Sequence, residues 1–161
     1  MRIFDSEAQA AAGGELAARV AGFDPGAVIF VRDGGTALGL AIAGALSLPA
    51  FGIDAHYPLR RALDRLPAPL RTALWPIKEL LYRALGPRLD GSGLDRLPPF
   101  DRAVLVDDTA SSGRTLRLAR AALESRGVRR ESLRVAVIRC GARARGQVDV
   151  FLTEDRVRVL R

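Results

Sequence analysis

The sequence predicts an α/β fold with a doubly wound, mostly parallel sheet, and three observations carry that expectation. The runs Ala27 to Val31 and Ala103 to Val106 are apolar without alternation, as strands covered on both faces are. The first run leads through a turn and a helical repeat to another apolar run, a unit that closes as a right-handed parallel crossover. The second run enters two carboxylates, a small hydroxylated loop and a helix start, which is how anion sites are built at the carboxyl edge of such sheets. Usual sheet statistics give about five core strands.

In chain order, residues 6–21 show a helical repeat through Ala8, Ala12, Leu16 and Val20, weakened by Gly13 and Gly14 and ended by Gly22 and Pro25. Ala27 to Val31 is the first buried strand. Arg32-Asp33-Gly34-Gly35-Thr36 turns into a helix with Leu38, Ile42 and Leu46 along one side, and Pro49 to Ile53 is the next strand. Residues 54–101 are the least regular: a short helix through Leu59, Leu63 and Leu66 is broken by Pro67 and Pro69. An amphipathic helix follows through Leu70, Leu74, Ile77, Leu81 and Leu85, then a Gly/Pro-rich passage from Gly86 to Pro99. Beyond Ala103 to Val106, a helix begins near Gly113, buries Leu116, Ala119 and Leu123, and stops at Gly127. Leu133 to Ile138 and Val148 to Leu152 are strands around a basic turn. Val157, Val159 and Leu160 alternate with Arg156, Arg158 and Arg161 as a half-exposed edge strand would.

The chemistry concentrates in Val104 to Thr115. Strand, tight turn and helix N-terminus aim unpaired backbone N–H groups at one point, where the helix dipole adds positive charge. A phosphate monoester fits that cup: Ser111, Ser112 and Thr115 supply hydroxyl donors, Gly113 allows close approach and Arg114 adds fixed charge. Two acids beside a phosphate need another task, and accepting hydrogen bonds from vicinal hydroxyls, or facing the reacting carbon or a metal-bound water, suits Asp107 and Asp108. The competing assignment is a helix N-cap, but a cap needs one such residue and this loop has six. Gly34 and Gly35 form a second candidate anion cup at the same edge, or else a plain Asp-Gly turn. Walker A and dinucleotide-binding patterns both fail on spacing, and no Asp-x-Asp pattern supports a sugar-phosphate hydrolase.

Composition excludes several classes. The length of 161 residues suits one domain with a real core. One cysteine and one histidine rule out an internal disulfide and a Cys/His zinc site. No stretch approaches the roughly 18 apolar residues of a membrane span, and residues 1–27 lack the signature of an export signal, so a cytoplasmic setting without membrane contact is expected. The net charge of +7 comes from arginine, since Lys78 is the one lysine among 25 basic residues. The arginines are spread from end to end and base-stacking aromatics are sparse, which makes nucleic acid the lesser option.

The stretch Val104 to Thr115 resembles the phosphoribosyl-pyrophosphate (PRPP) loop of the type I phosphoribosyltransferases: apolar strand, two acids, two variable residues, two hydroxyl residues, Gly, a variable residue and Thr. Every fixed position is matched. The resemblance implies that fold with a small hood from residues 54–101 and the tail, in a single domain. It implies transfer of ribose 5-phosphate from PRPP to a nitrogenous base, purine-like by preference, with release of pyrophosphate. Asp107 and Asp108 would take the ribose hydroxyls and, through water, Mg²⁺; Ser111, Ser112, Gly113, Arg114 and Thr115 would wrap the 5′-phosphate. Pyrophosphate would lie on Arg32, Asp33, Gly34 and Gly35, although Asp33 stands where the family commonly has a basic residue. In the hood, Tyr57, Arg60 and Arg61 would close over it, while the leucine stripe is equally an interface or core and Trp75 a packing residue.

The tail is similar to the purine and xanthine–guanine branch, which implies base contacts from Arg139 and Phe151. A solvated strand end and a core phenylalanine are the competing assignments. Hypoxanthine–guanine enzymes place an Asp where this chain has Ser111, which cannot take a proton at neutral pH without help. Family members commonly pair, implying a homodimer. Some instead sense nucleotides and regulate RNA or transcription, and Ser-Gly-Arg-Thr resembles the Thr-Gly-Arg-Thr of the pyrimidine operon attenuator. A non-catalytic, RNA-binding nucleotide sensor is therefore the alternative function.

Overall fold

The computed structural model describes residues 2–32, 34–56, 67–74, 86–154 and 157–159. Its elements are β1 (Arg2–Phe4), α1 (Ser6–Val20), β2 (Ala27–Val31), α2 (Thr36–Leu46), β3 (Ala50–His56), α3 (Ala68–Ala73), β4 (Arg88–Asp90), β5 (Ala103–Ala110), α4 (Arg114–Glu124), β6 (Leu133–Cys140), β7 (Val150–Thr153) and β8 (Val157–Val159). The main sheet has six strands in the order β4-β3-β2-β5-β6-β7. All neighbours are parallel except β4, which runs antiparallel to β3 with Ala55 opposite Leu89. Five parallel core strands thus stand as the sequence predicts, with one short strand added at the β3 edge.

Two apolar layers explain why β2 and β5 carry no alternation. On one face Val28, Phe30, Val104, Val106 and Ile138 pack against Leu16 and Val20 of α1 and Leu38 and Ile42 of α2. On the other, Ile29, Leu105, Val135 and Val137 pack against Leu116, Ala119 and Leu123 of α4. Gly13, a weak point for helix propensity, lies where α1 meets α2. A Cβ there would stand 2.4 Å from the Ala41 Cβ, so the glycine permits close helix packing.

Two expectations are corrected. β5 does not end at Val106: it continues to Ala110, with Asp107 opposite Val137 and Thr109 opposite Arg139. Both acids therefore belong to the strand rather than to the loop after it. The tail strand β8 pairs in parallel with β1 in a separate two-stranded sheet and so is an edge strand, as its sequence predicts. The basic turn after β6 is a 3₁₀ helix, Ala142–Gln147. Asp33, the hood residues Tyr57, Arg60 and Arg61, Trp75 and most of the leucine stripe lie outside the described residues.

Candidate functional site

β2 and β5 are neighbours in the sheet, yet the helices that follow them cover opposite faces. Their carboxyl ends therefore diverge and leave a crevice, the position where open α/β sheets take ligands. A cleft of about 200 Å³ lies there, lined by Arg32 and Gly34 after β2, Ala55 of β3, and Asp107 to Leu116. The geometry brings together both acids, all five residues of the expected phosphate loop and half of the expected pyrophosphate loop.

Asp107 and Asp108 are 8% and 7% exposed. Carboxylates buried to that degree need polar partners, and both have them. One is local: the Asp108 N–H donates to Asp107 Oδ1 at 2.9 Å, which fixes the first acid on its own backbone. Asp108 reaches across the crevice. A Cβ at Gly34 would stand 2.5 Å from its Oδ2, so a residue with a side chain could not hold that place beside the carboxylate.

The 111–115 loop leads into a helix start that no side chain caps. α4 starts at Arg114 with Gly113 as its N-cap in the left-handed region, φ 70°. The N-cap assignment for the hydroxyl residues thus fails, because the cap position is a glycine. The first-turn N–H groups of α4 border the cleft together with Ser111, Ser112, Arg114 and Thr115, and these groups have no intrahelical acceptors. A phosphate there would gain several charge-assisted hydrogen bonds.

The loop after β2 is different. Gly34 N–H donates to the Arg32 carbonyl at 3.2 Å and Gly35 N–H to the Val31 carbonyl at 3.0 Å. The second anion cup expected from the glycine pair is therefore not formed by those two amides. Gly35 is a packing glycine, since a Cβ would stand 2.7 Å from the Val31 carbonyl oxygen and 2.9 Å from that of Val106. What this loop does offer the cleft is Arg32, held by Asp54 of β3 at 3.1 Å.

Of the two residues expected to meet the base, Arg139 lies beside the cleft, half-buried, and donates to Ser111 Oγ at 3.3 Å. Phe151 does not line the cleft. Its half-buried ring packs on the α4-side core, with the Arg145 guanidinium 5.3 Å from its centroid. Cys140 is buried next to the loop, and burial pushes its thiol above the usual range.

Sequence reasoning missed Gln147. With its amide oriented to satisfy both partners, its nitrogen donates to the Gly113 carbonyl at 2.7 Å and its oxygen accepts from Arg117 at 2.6 Å. A lone Gln in an Arg-rich turn carries no pattern that would have flagged it.

No family model and no curated protein matches the sequence. Solved structures do. The purine phosphoribosyltransferase of Pyrococcus horikoshii Ot3 superimposes with a TM-score of 0.66 at 16% identity, over 99% of this chain and 93% of that one. The xanthine-guanine-hypoxanthine phosphoribosyltransferase of Helicobacter pylori gives 0.66 at 14% identity, over 98% and 89%. The APRTase of Giardia lamblia, complexed with 9-deazaadenine, gives 0.61 at 16%, over 96% and 81%. With its six-stranded, mostly parallel sheet flanked by helices, the chain has the fold of the type I phosphoribosyltransferases.

Proposed function

We propose that this protein is a PRPP-dependent phosphoribosyltransferase that transfers ribose 5-phosphate to a ring nitrogen of a purine-like base and releases pyrophosphate. The observation that carries the proposal is the convergence of two buried carboxylates and an uncapped helix N-terminus on one cleft. The carboxylates accept the ribose diol, and the 111–115 loop binds the 5′-phosphate through first-turn amides and hydroxyls. The sugar is thereby held at both ends with its anomeric carbon fixed between the departing pyrophosphate and the incoming nitrogen. Charge on Asp107 and Asp108 favours the cationic character that carbon develops.

The donor set fits Mg²⁺ arriving with its ligand. Among the described residues no group of three or more His, Cys, Asp or Glu side chains stands ready to hold a metal. Two carboxylates at a sheet edge leave the remaining positions to phosphate oxygens and water, as this ion prefers. When bound, it would supply charge neutralisation of the leaving pyrophosphate. Arg32 supplies a further positive charge on that side of the cleft.

The base would lie toward Arg139, whose guanidinium suits a ring carbonyl. Ser111 supplies no proton acceptor at neutral pH, which favours either a base with an acidic N–H that reacts as its anion or a different nucleobase, and loss of catalysis is the outcome that the regulator reading takes. Names of the structural neighbours support a purine-like ring.

The test combines thermal shift with PRPP and Mg²⁺ and pyrophosphate release with adenine, guanine, hypoxanthine and xanthine. Release with at least one base is expected, and the Asp107→Asn, Asp108→Asn double variant should lose about a hundredfold or more in kcat/KM, the scale of a lost electrostatic contact to the transition state. Unchanged turnover in that variant sinks the assignment. A protein that binds nucleotides, releases no pyrophosphate and binds RNA in a salt-sensitive way is the regulator instead.

A further inference from the structure

We propose that Gln147 is a positioning residue that holds the phosphate loop in its binding conformation, an inference that rests on the phosphate assignment of residues 111–115. Gln147 ends the 3₁₀ helix between β6 and β7, outside the cleft lining, so it does not touch the ligand itself.

The argument starts at one peptide unit. In a trans peptide the carbonyl and the following N–H point in opposite directions. The Gly113 carbonyl accepts the first helical bond from the Arg117 N–H at 2.9 Å and the Gln147 amide at 2.7 Å. Drawn to that side by two donors, the carbonyl turns the Arg114 N–H the other way, out of the helix end that borders the cleft. Arg117 makes the second donor specific: its guanidinium, 2.6 Å from the Gln147 oxygen, fixes which end of the amide faces Gly113.

The glycine and the glutamine interlock. A Cβ on Gly113 would stand 2.7 Å from the Gln147 side-chain amide, so the absence of a side chain at 113 is what lets the amide reach the backbone. Left alone, a left-handed glycine is a natural hinge. The contact with Gln147 removes that freedom before the ligand arrives, and pre-organised donors bind more tightly than donors that must be ordered.

Gln147→Leu removes both contacts. Gln147→Glu keeps length and the Arg117 pair but sets oxygen against the Gly113 carbonyl. Both variants should bind ribose 5-phosphate about tenfold more weakly, the scale of one hydrogen bond at a charged ligand. Affinity for inorganic pyrophosphate, measured with Mg²⁺, should stay within about twofold, because that end of the cleft is built from other residues. A merely structural role would lower the melting temperature and leave the two ligands equally affected. Amide hydrogen exchange of residues 113–115 in the free protein supplies a readout that needs no ligand, and it should accelerate in both variants. Unchanged exchange, or unchanged ribose 5-phosphate affinity, overturns the proposal. A native protein that binds neither ribose 5-phosphate nor PRPP overturns the phosphate site and the role of Gln147 in it, and the exchange data then show separately whether the contact orders the loop.

Discussion

Two loops face each other across the carboxyl edge of the sheet, and both are strand-to-helix turns with glycine at the helix N-cap. The loop after β2 spends its Gly34 and Gly35 amides on the carbonyls of Arg32 and Val31. Neither helix start has a side-chain cap, but the loop after β5 lines the cleft with the hydroxyls of Ser111, Ser112 and Thr115. Glycine does different work in each: Gly35 fits between the backbones of β2 and β5, whereas Gly113 sets a left-handed turn that aims donors outward. Glycine-rich turns at helix starts are therefore not interchangeable as evidence for anion binding. What decides is whether the amides already have acceptors.

The largest effect that separates the two loops is expected at Gly35. A Cβ there meets two backbone carbonyls that cannot yield without parting β2 from β5, so Gly35→Ala should cost about 3 kcal/mol of stability, the upper range for overpacking. Gly34→Ala presses on the Asp108 carboxylate instead. It should lose less than half as much stability, yet abolish the thermal shift given by PRPP and Mg²⁺. Denaturant unfolding of both variants checks this, and equal stability losses would erase the distinction between a packing glycine and a site glycine.

The legible parts of the molecule were those written contiguously. The string from Val104 to Thr115 is unbroken, so its strand, acids, loop and helix are recognisable together. The buried strands announce themselves by unbroken apolar runs. β1 and β4 could not be read, because three residues carry no periodicity. β5 looked four residues shorter than it is, since carboxylates interrupt an apolar run without ending the strand. The Gly34 and Gly35 turn misled for a related reason: a sequence lists donors but not the acceptors that already hold them. Gln147 reaches Gly113 across 34 positions, a contact only the folded turn creates.

Gly113→Ala comes next in size. Its φ of 70° costs an L-residue roughly 1–2 kcal/mol, and the added methyl displaces Gln147. The fold should survive while ribose 5-phosphate affinity falls about tenfold or more, a pattern opposite to that of Gly35→Ala. Calorimetric titration beside a melting curve measures both, and retained affinity would mean the left-handed turn is not what presents the donors.

The smallest effect is expected at Arg32, where the comparison can be sharpened. Its ion pair with Asp54 joins side chains that are 49% and 38% exposed, so water screens it and its stability contribution lies within about 0–1 kcal/mol. Arg32→Gln should thus leave the melting temperature within about 3 °C. If this loop serves pyrophosphate by side-chain charge rather than by amides, Asp54 competes with the ligand for the guanidinium. Asp54→Asn should then strengthen pyrophosphate binding severalfold at low ionic strength, with the gain fading as salt rises toward 1 M and the screening length falls to about 3 Å. Weaker binding in Asp54→Asn would instead show that the carboxylate orients Arg32 for the ligand, and the β2 loop would be as pre-organised as the loop opposite.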